Sequence, residues 1–194
     1  MARSPKILAF AGSAREGSYN AQLVRTAARA AEAAGAETTV ADLREFPMPI
    51  FNEDEEKAQG LPDGAVRFRA LMKSHDAFLI ASPEYNSSIS PLLKNVIDWG
   101  SRGRAEGEPP LAAYRGKVAA LFAASPGKLG GLRGLVHVCS ILQNIGVTVI
   151  PQQLAVSEAH RAFGDDGKLQ DSGMQSRLES IAGDLVDVVR KLHG

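Results

Sequence analysis

Phe10-Ala-Gly-Ser-Ala-Arg-Glu-Gly-Ser-Tyr-Asn20 is the stretch whose reading decides the fold. An apolar run over 6–11 stops abruptly at Gly12, and an Ala-rich stretch of helical character follows from Asn20. The pattern predicts a strand that feeds a polar loop and then a helix. Backbone N–H groups at a helix start have no intrahelical partners and carry a partial positive charge, so an oxyanion placed there is stabilised by several donors together. Ser13, Ser18 and Asn20 add side-chain donors, and Arg15 adds a charge-assisted fork. A plainer reading stands beside this one: Ser18 only caps the helix and Arg15 is solvated. The loop has neither Gly-x-Gly-x-x-Gly nor a Gly-Lys-Ser/Thr after Gly12, so the dinucleotide and triphosphate fingerprints are absent. One terminal phosphate suits it better.

Working outward, further apolar runs over 37–43, 77–82, 116–124 and 147–150 read as strands. Helical patterns over 20–34, 64–74, 93–99, onward from 131 to 144, and 174–192 fall between and after them. Pro47 and Pro49 exclude a central strand from 47–56, whose acidic end reads as a solvated surface or an oligomer rim. Strand and helix alternate five times, which predicts an α/β fold with one parallel sheet covered on both faces. Ligands of such sheets bind beyond the carboxyl ends of the strands, near the switch in strand order. The polar, Gly- or Pro-bearing loops follow strands one, three and four, which are adjacent in a five-stranded order of 2-1-3-4-5. Three loops are thereby expected to converge on one crevice.

The second of these loops is Pro83-Glu-Tyr-Asn-Ser-Ser88. Its rigid backbone groups suit the polar edge of a flat heterocycle, with the Tyr85 ring beside it, unless the segment is a plain turn with Tyr85 lidding the core. Lys94 and Asn95 are expected to anchor this loop, and Trp99 to pack in the core or an interface. The third loop, Ser125-Pro-Gly-Lys-Leu-Gly-Gly131, lets backbone approach a ligand edge, or else is a flexible connector.

Composition narrows the function classes. A chain of 194 residues fits a single domain over 1–194. With 22 basic and 22 acidic residues it has no net field toward nucleic acid or an anionic membrane. The single cysteine, Cys139, cannot form an internal disulfide and reads as a small core residue of a cytoplasmic protein. No run is long enough for a membrane span. His75, His137, His160 and His193 lack ligand spacing, so no metal site is expected, and Asp165-Asp-Gly167 reads as a turn. No Gly-x-Ser-x-Gly elbow is present.

Three motifs together resemble the NAD(P)H-dependent FMN reductases of flavodoxin-like fold, a family that includes quinone, chromate and azo-dye reductases. They are Gly12-Ser-Ala-Arg-Glu-Gly-Ser-Tyr-Asn20, Pro83-Glu-Tyr-Asn-Ser-Ser88 running into Leu93-Lys-Asn-Val-Ile-Asp-Trp99, and Ser125-Pro-Gly-Lys-Leu-Gly-Gly131. One departure is visible: the proline usual two residues after the loop's serine is displaced, since Ser90 precedes Pro91. The resemblance implies a three-layer sandwich binding FMN, with NAD(P)H as co-substrate. The FMN phosphate would be held by Ser13, Arg15, Ser18 and Asn20, with Tyr19 beside them; the ring by the backbone of Pro83, Glu84, Tyr85 and Asn86; the ring's other edge by Ser125 and Gly127. It also implies a homodimer or homotetramer, and ping-pong two-electron reduction of quinones or similar acceptors such as chromate, azo dyes or free flavin. No catalytic side chain is required, because the chemistry belongs to the cofactor. A flavodoxin-like electron carrier docking on proteins is the alternative, though such carriers are strongly acidic. Arg15, Arg102 and Arg104 are the candidate cations for a coenzyme 2′-phosphate.

Overall fold

The computed structural model describes residues 3–103 and 107–193, so Arg104 lies outside the described residues. In chain order the elements are β1 (Lys6–Ala11), α1 (Tyr19–Ala33), β2 (Glu37–Ala41), α2 (Glu53–Gln59), α3 (Asp63–Lys73), β3 (Ala77–Ala81), β4 (Glu84–Tyr85), β5 (Ser88–Ile89), α4 (Pro91–Gly100), β6 (Val118–Ala124), α5 (Leu132–Asn144), β7 (Thr148–Val156) and α6 (Ser172–His193). Five strands form one parallel sheet in the order β2-β1-β3-β6-β7. With the small antiparallel β4–β5 sheet set aside, this is the expected 2-1-3-4-5 order.

Alternation along the central strands divides the core between the two faces. Ile7, Ala9 and Ala11 join Leu79, Ala120 and Phe122 under α1 and α6. Leu8 and Phe10 join Phe78, Ile80 and Leu121 under α3, α4 and α5. Small residues predominate where α1 meets the sheet: Ala27, Ala28 and Ala31 are buried against Ala9 and Ala81, which lets the helix approach closely. That approach brings the N-terminus of α1 to the carboxyl end of β1.

Four differences from the sequence reading have physical causes. Strand β7 runs to Val156 rather than ending at 150. Pro151 interrupts the apolar pattern, and the register against β6 shifts between Ala119 and Leu121; β7 is an edge strand, where a proline without an N–H is tolerated. Residues 53–59, expected to be irregular, form α2. This helix buries nothing and is instead capped by Asn52 and favoured by four acidic side chains in its first turn, Glu53 to Glu56. Strand β2 stops at Ala41 because the Asp42 side chain caps a short 3₁₀ turn, Leu43–Glu45. Helix α4 begins at Pro91 rather than 93. Ser90 is its cap, accepting from Leu93 N, and Pro91 occupies the first-turn position that needs no N–H acceptor.

Candidate functional site

Beyond the ends of β1, β3 and β6 lies a cleft of about 330 Å³. The first loop lines it with Ser13, Arg15, Ser18, Tyr19 and Asn20, the second with Pro83, Glu84 and Tyr85, and the third with Ser125, next to Ala124 and Pro126. Of the site residues expected from sequence, Asn86 and Gly127 fall outside this lining.

The first loop is built to leave donors free. Ser18 caps α1 by accepting from Ala21 N at 3.3 Å, which leaves the first-turn N–H groups of Tyr19 and Asn20 without an acceptor in the helix. The Ser13 hydroxyl accepts from Arg15 N. The Arg15 guanidinium lies 5.1 Å from the Tyr19 ring centroid and donates only to the carbonyls of Glu16 and Gly17, so a full positive charge stands at the helix start with no carboxylate partner among the described residues. Gly12 sets how closely this loop approaches the second: a Cβ there would lie 2.8 Å from Leu93 Cβ and 3.2 Å from Pro83 Cδ. Ser90 strengthens the junction by donating its hydroxyl to the Gly12 carbonyl at 2.6 Å.

Asn20 is buried, and its side-chain amide is engaged with backbone. Nδ2 donates to Ala124 O at 2.9 Å and Oδ1 accepts from Ala124 N at 3.0 Å. This two-point clamp ties the start of α1 to the end of β6, and so the first loop to the third. The sequence suggested a ligand donor at Asn20; the geometry makes its side chain a tie between two walls of the cleft.

The second loop, expected to be irregular, is a β-hairpin. Asn86 and Ser87 form its two-residue turn with φ of 51° and 69°, the left-handed pair that a type I′ turn requires. Tyr85 is half exposed toward the cleft. The Glu84 carboxylate is turned the other way: Oε1 accepts two hydrogen bonds from Arg133, and Oε2 accepts from Gly134 N at 3.1 Å in the first turn of α5. Burial raises the Glu84 carboxyl, but the hydrogen bonds from Arg133 and Gly134 outweigh it and hold the group below the ordinary glutamate value. Asn95 anchors a different segment from the one expected. It bonds Phe51 N and Pro49 O, and Trp99 Nε1 donates to the same Pro49 carbonyl, while Lys94 pairs with Asp98.

The third loop is fixed by the end of β7 and the residues after it, all beyond the strand end at 150 expected from sequence. Ser125 N donates to Val156 O, Ala159 N donates to Ser125 O, and Glu158 N donates to Gly127 O. Glu158 holds a left-handed φ of 49° to do so. A Cβ at Gly130 would sit 2.7 Å from the Val156 carbonyl carbon, so only glycine allows the loop to lie this close to β7. Cys139 is a half-buried free thiol flanking the core of the α5 face. Among the described residues no cluster of His, Cys, Asp or Glu could hold a metal, and no helix is long and apolar enough to cross a membrane.

Several characterised proteins are similar to this chain. A solved NAD(P)H:acceptor oxidoreductase of Paracoccus denitrificans, the flavoenzyme FerB, superposes with a TM-score of 0.81 at 26% identity, over 98% of this chain and 99% of that one. An NAD(P)H-dependent FMN reductase of Pseudomonas aeruginosa is 35% identical over 190 residues, covering 97% of each chain. An NAD(P)H:quinone oxidoreductase of Solanum tuberosum is 33% identical, covering 100% of this chain and 98% of its own. The sequence model of the NADPH-dependent FMN reductase family matches residues 5–161, and the chain belongs to that family.

Proposed function

We propose that the three-loop cleft holds FMN and that the enzyme uses NAD(P)H to reduce quinones or similar small acceptors in a two-electron, ping-pong cycle. The convergence of the first, second and third loops on one cleft, with the N-terminus of α1 at one end, carries this reading. The donor set fits the cofactor. Two first-turn N–H groups, the Ser13 and Ser18 hydroxyls and the Arg15 guanidinium suit a dianionic phosphate. Pro83 and Tyr85 offer an apolar wall to a flat ring.

When bound, FMN supplies the electron transfer between coenzyme and acceptor. The chain's own part is placement. Ser13, Arg15, Ser18 and the amides of Tyr19 and Asn20 hold the phosphate end. Pro83, Glu84 and Tyr85 border the ring on the hairpin side and Ser125 borders it on the β6 side, with Asn86 and Gly127 each one residue beyond that lining. Asn20 keeps the two ends at a fixed separation through Ala124. With its carboxylate committed to Arg133 and Gly134, Glu84 is no proton donor to the cleft, and no side chain is assigned an acid or base role.

The same proposal includes a homodimer or homotetramer. Leu129, Leu132 and Val136 expose apolar surface at the start of α5, beside the loop that carries Ser125, which supports a subunit contact there. A cytoplasmic place is supported by the single free thiol and the balanced charge.

Purified protein is expected to be yellow and to oxidise NAD(P)H when a quinone is added. A colourless preparation that neither binds added FMN nor consumes NAD(P)H overturns the proposal. Light scattering after size exclusion tests the assembly, and a monomer at micromolar concentration removes that part.

A further inference from the structure

The first loop has a second side. Behind it, between α1 and the end of β2, lies a larger cavity of about 680 Å³ that shares Ser13, Arg15 and Ser18 with the cleft. Its floor is apolar, from Ala11, Val24, Ala41 and Leu43, and Val40 on the edge strand beside it is 46% exposed. Its rim carries three cations, Arg15, Arg25 and Arg44, and three carboxylates, Glu16, Asp42 and Glu45. A volume of this order takes a nucleotide-sized group. The apolar floor suits a purine, and the polar rim a phosphorylated ribose.

The charges are not equally free. Arg44 is held at the end of β2 by Asp42, through Nε to both carboxylate oxygens and Nη2 to Oδ2. This pair occupies Asp42, while Glu16 and Glu45 also stand close enough to favour the charged form of Arg44, whose Nη1 has no hydrogen-bond partner among the described residues. Arg25 makes no hydrogen bond or ion pair among the described residues, although it stands close enough to Asp42 to lower that carboxyl. In dinucleotide-binding sheets of the Gly-x-Gly-x-x-Gly type an acidic group after the second strand meets an adenosine ribose, and an arginine nearby accommodates a 2′-phosphate; this chain lacks that loop, and what it shares is the pairing of residue types. Both residue types are present here, two positions apart, on the flank of the loop that the cofactor phosphate would occupy.

We infer that this cavity seats the adenosine end of the nicotinamide coenzyme, with Arg25 and Arg44 receiving the 2′-phosphate that distinguishes NADPH from NADH. The inference rests on the proposed reductase activity. It runs the coenzyme from the cleft over Arg15 and down to the end of β2, and makes the first loop a wall between two phosphate-bearing ligands. Selection then comes from two guanidinium forks rather than from a net field, since the rim charges balance.

The test uses FMN-loaded protein in two arms. In the first, calorimetry compares 2′,5′-ADP, 5′-AMP and inorganic phosphate. Binding of 2′,5′-ADP at least ten-fold tighter than 5′-AMP is expected, since one charge-assisted hydrogen bond is worth about that factor. Equal binding of the two nucleotides overturns the inference, and so does binding of phosphate as tight as 2′,5′-ADP, which marks an adventitious anion site. In the second arm, Arg25→Ala and the Arg25→Ala/Arg44→Gln double variant are assayed with both coenzymes. The ratio of kcat/KM for NADPH to that for NADH is expected to fall about ten-fold in the single variant and further in the double. Arg25 is exposed and makes no hydrogen bond or ion pair among the described residues, so the single variant keeps the assay usable if the double fails to fold. An unchanged ratio overturns the inference while leaving the reductase reading intact. Absence of NAD(P)H oxidation by the unaltered protein is the separate failure of that reading.

Discussion

Asn20 shows how a residue can serve a ligand without touching it. Its amide takes both the N–H and the C=O of Ala124 at the point where β6 ends, so its removal strands two buried backbone groups. Each such group costs about 1–3 kcal/mol. Asn20→Ala is therefore expected to lose about 2–6 kcal/mol of stability in urea titrations and to weaken FMN binding at least ten-fold. A variant with unaltered stability would show that the clamp carries nothing. Glu84 makes a pH-dependent contribution of the opposite kind. Its folded carboxyl lies below the ordinary glutamate value, so the stabilisation is present above the unfolded pKa and is lost as pH falls through the ordinary value toward the folded one. Arg133 is 56% exposed, which limits the effect to about 1 kcal/mol or less. The stability gap between the native chain and Glu84→Gln should shrink as pH is lowered from about 6 to about 3; a gap independent of pH removes the ion pair as its cause.

At the scale of elements, the two that sequence reading missed lack the signals on which such reading depends. Helix α2 has no buried face and hence no periodicity, only a cap and an acidic first turn. The β4–β5 hairpin uses Asn86-Ser87 where Asn-Gly would announce a type I′ turn, and its strands have two residues each. That choice has a measurable cost. Ser87 sits at φ 69° with a Cβ that disfavours the left-handed region, so Ser87→Gly is expected to raise stability by about 0.5–1 kcal/mol without altering the hairpin. Thermal melts check this, and a loss of stability would mean that the Ser87 side chain does something the backbone conformation does not explain. The first and third loops, by contrast, were legible because their glycines and hydroxyls directly follow buried apolar strands. What sequence could not show was their bracing: Ser90 to Gly12, Asn20 to Ala124 and Glu158 to Gly127 join residues distant in the chain.

For the whole molecule, the parallel sheet follows from strand and helix alternation, and the expected order 2-1-3-4-5, with the loop convergence it brings, agrees with the observed sheet. The end of β7 does not follow, because Pro151 and a register shift conceal an edge strand whose far end braces Ser125 and leads into the residue that braces Gly127. The site thus depends on the full sheet, from α1 across to β7, and ligand binding should report on global stability. A ligand at one hundred times its Kd stabilises by about 2.7 kcal/mol, and each kcal/mol shifts the Tm of a chain this size by about 2–4 °C. FMN at that excess over apoprotein is expected to raise Tm by about 5–11 °C. Riboflavin at the same concentration lacks the phosphate that Ser13, Arg15, Ser18 and the α1 N-terminus are proposed to hold, and should give less than half that shift. Equal shifts from the two flavins would mean that the opening loop is not the phosphate site, whatever the ring contacts are. A smaller FMN shift in Asn20→Ala, measured from that variant's own baseline, would place the clamp between the first and third loops in the path by which binding is felt across the sheet.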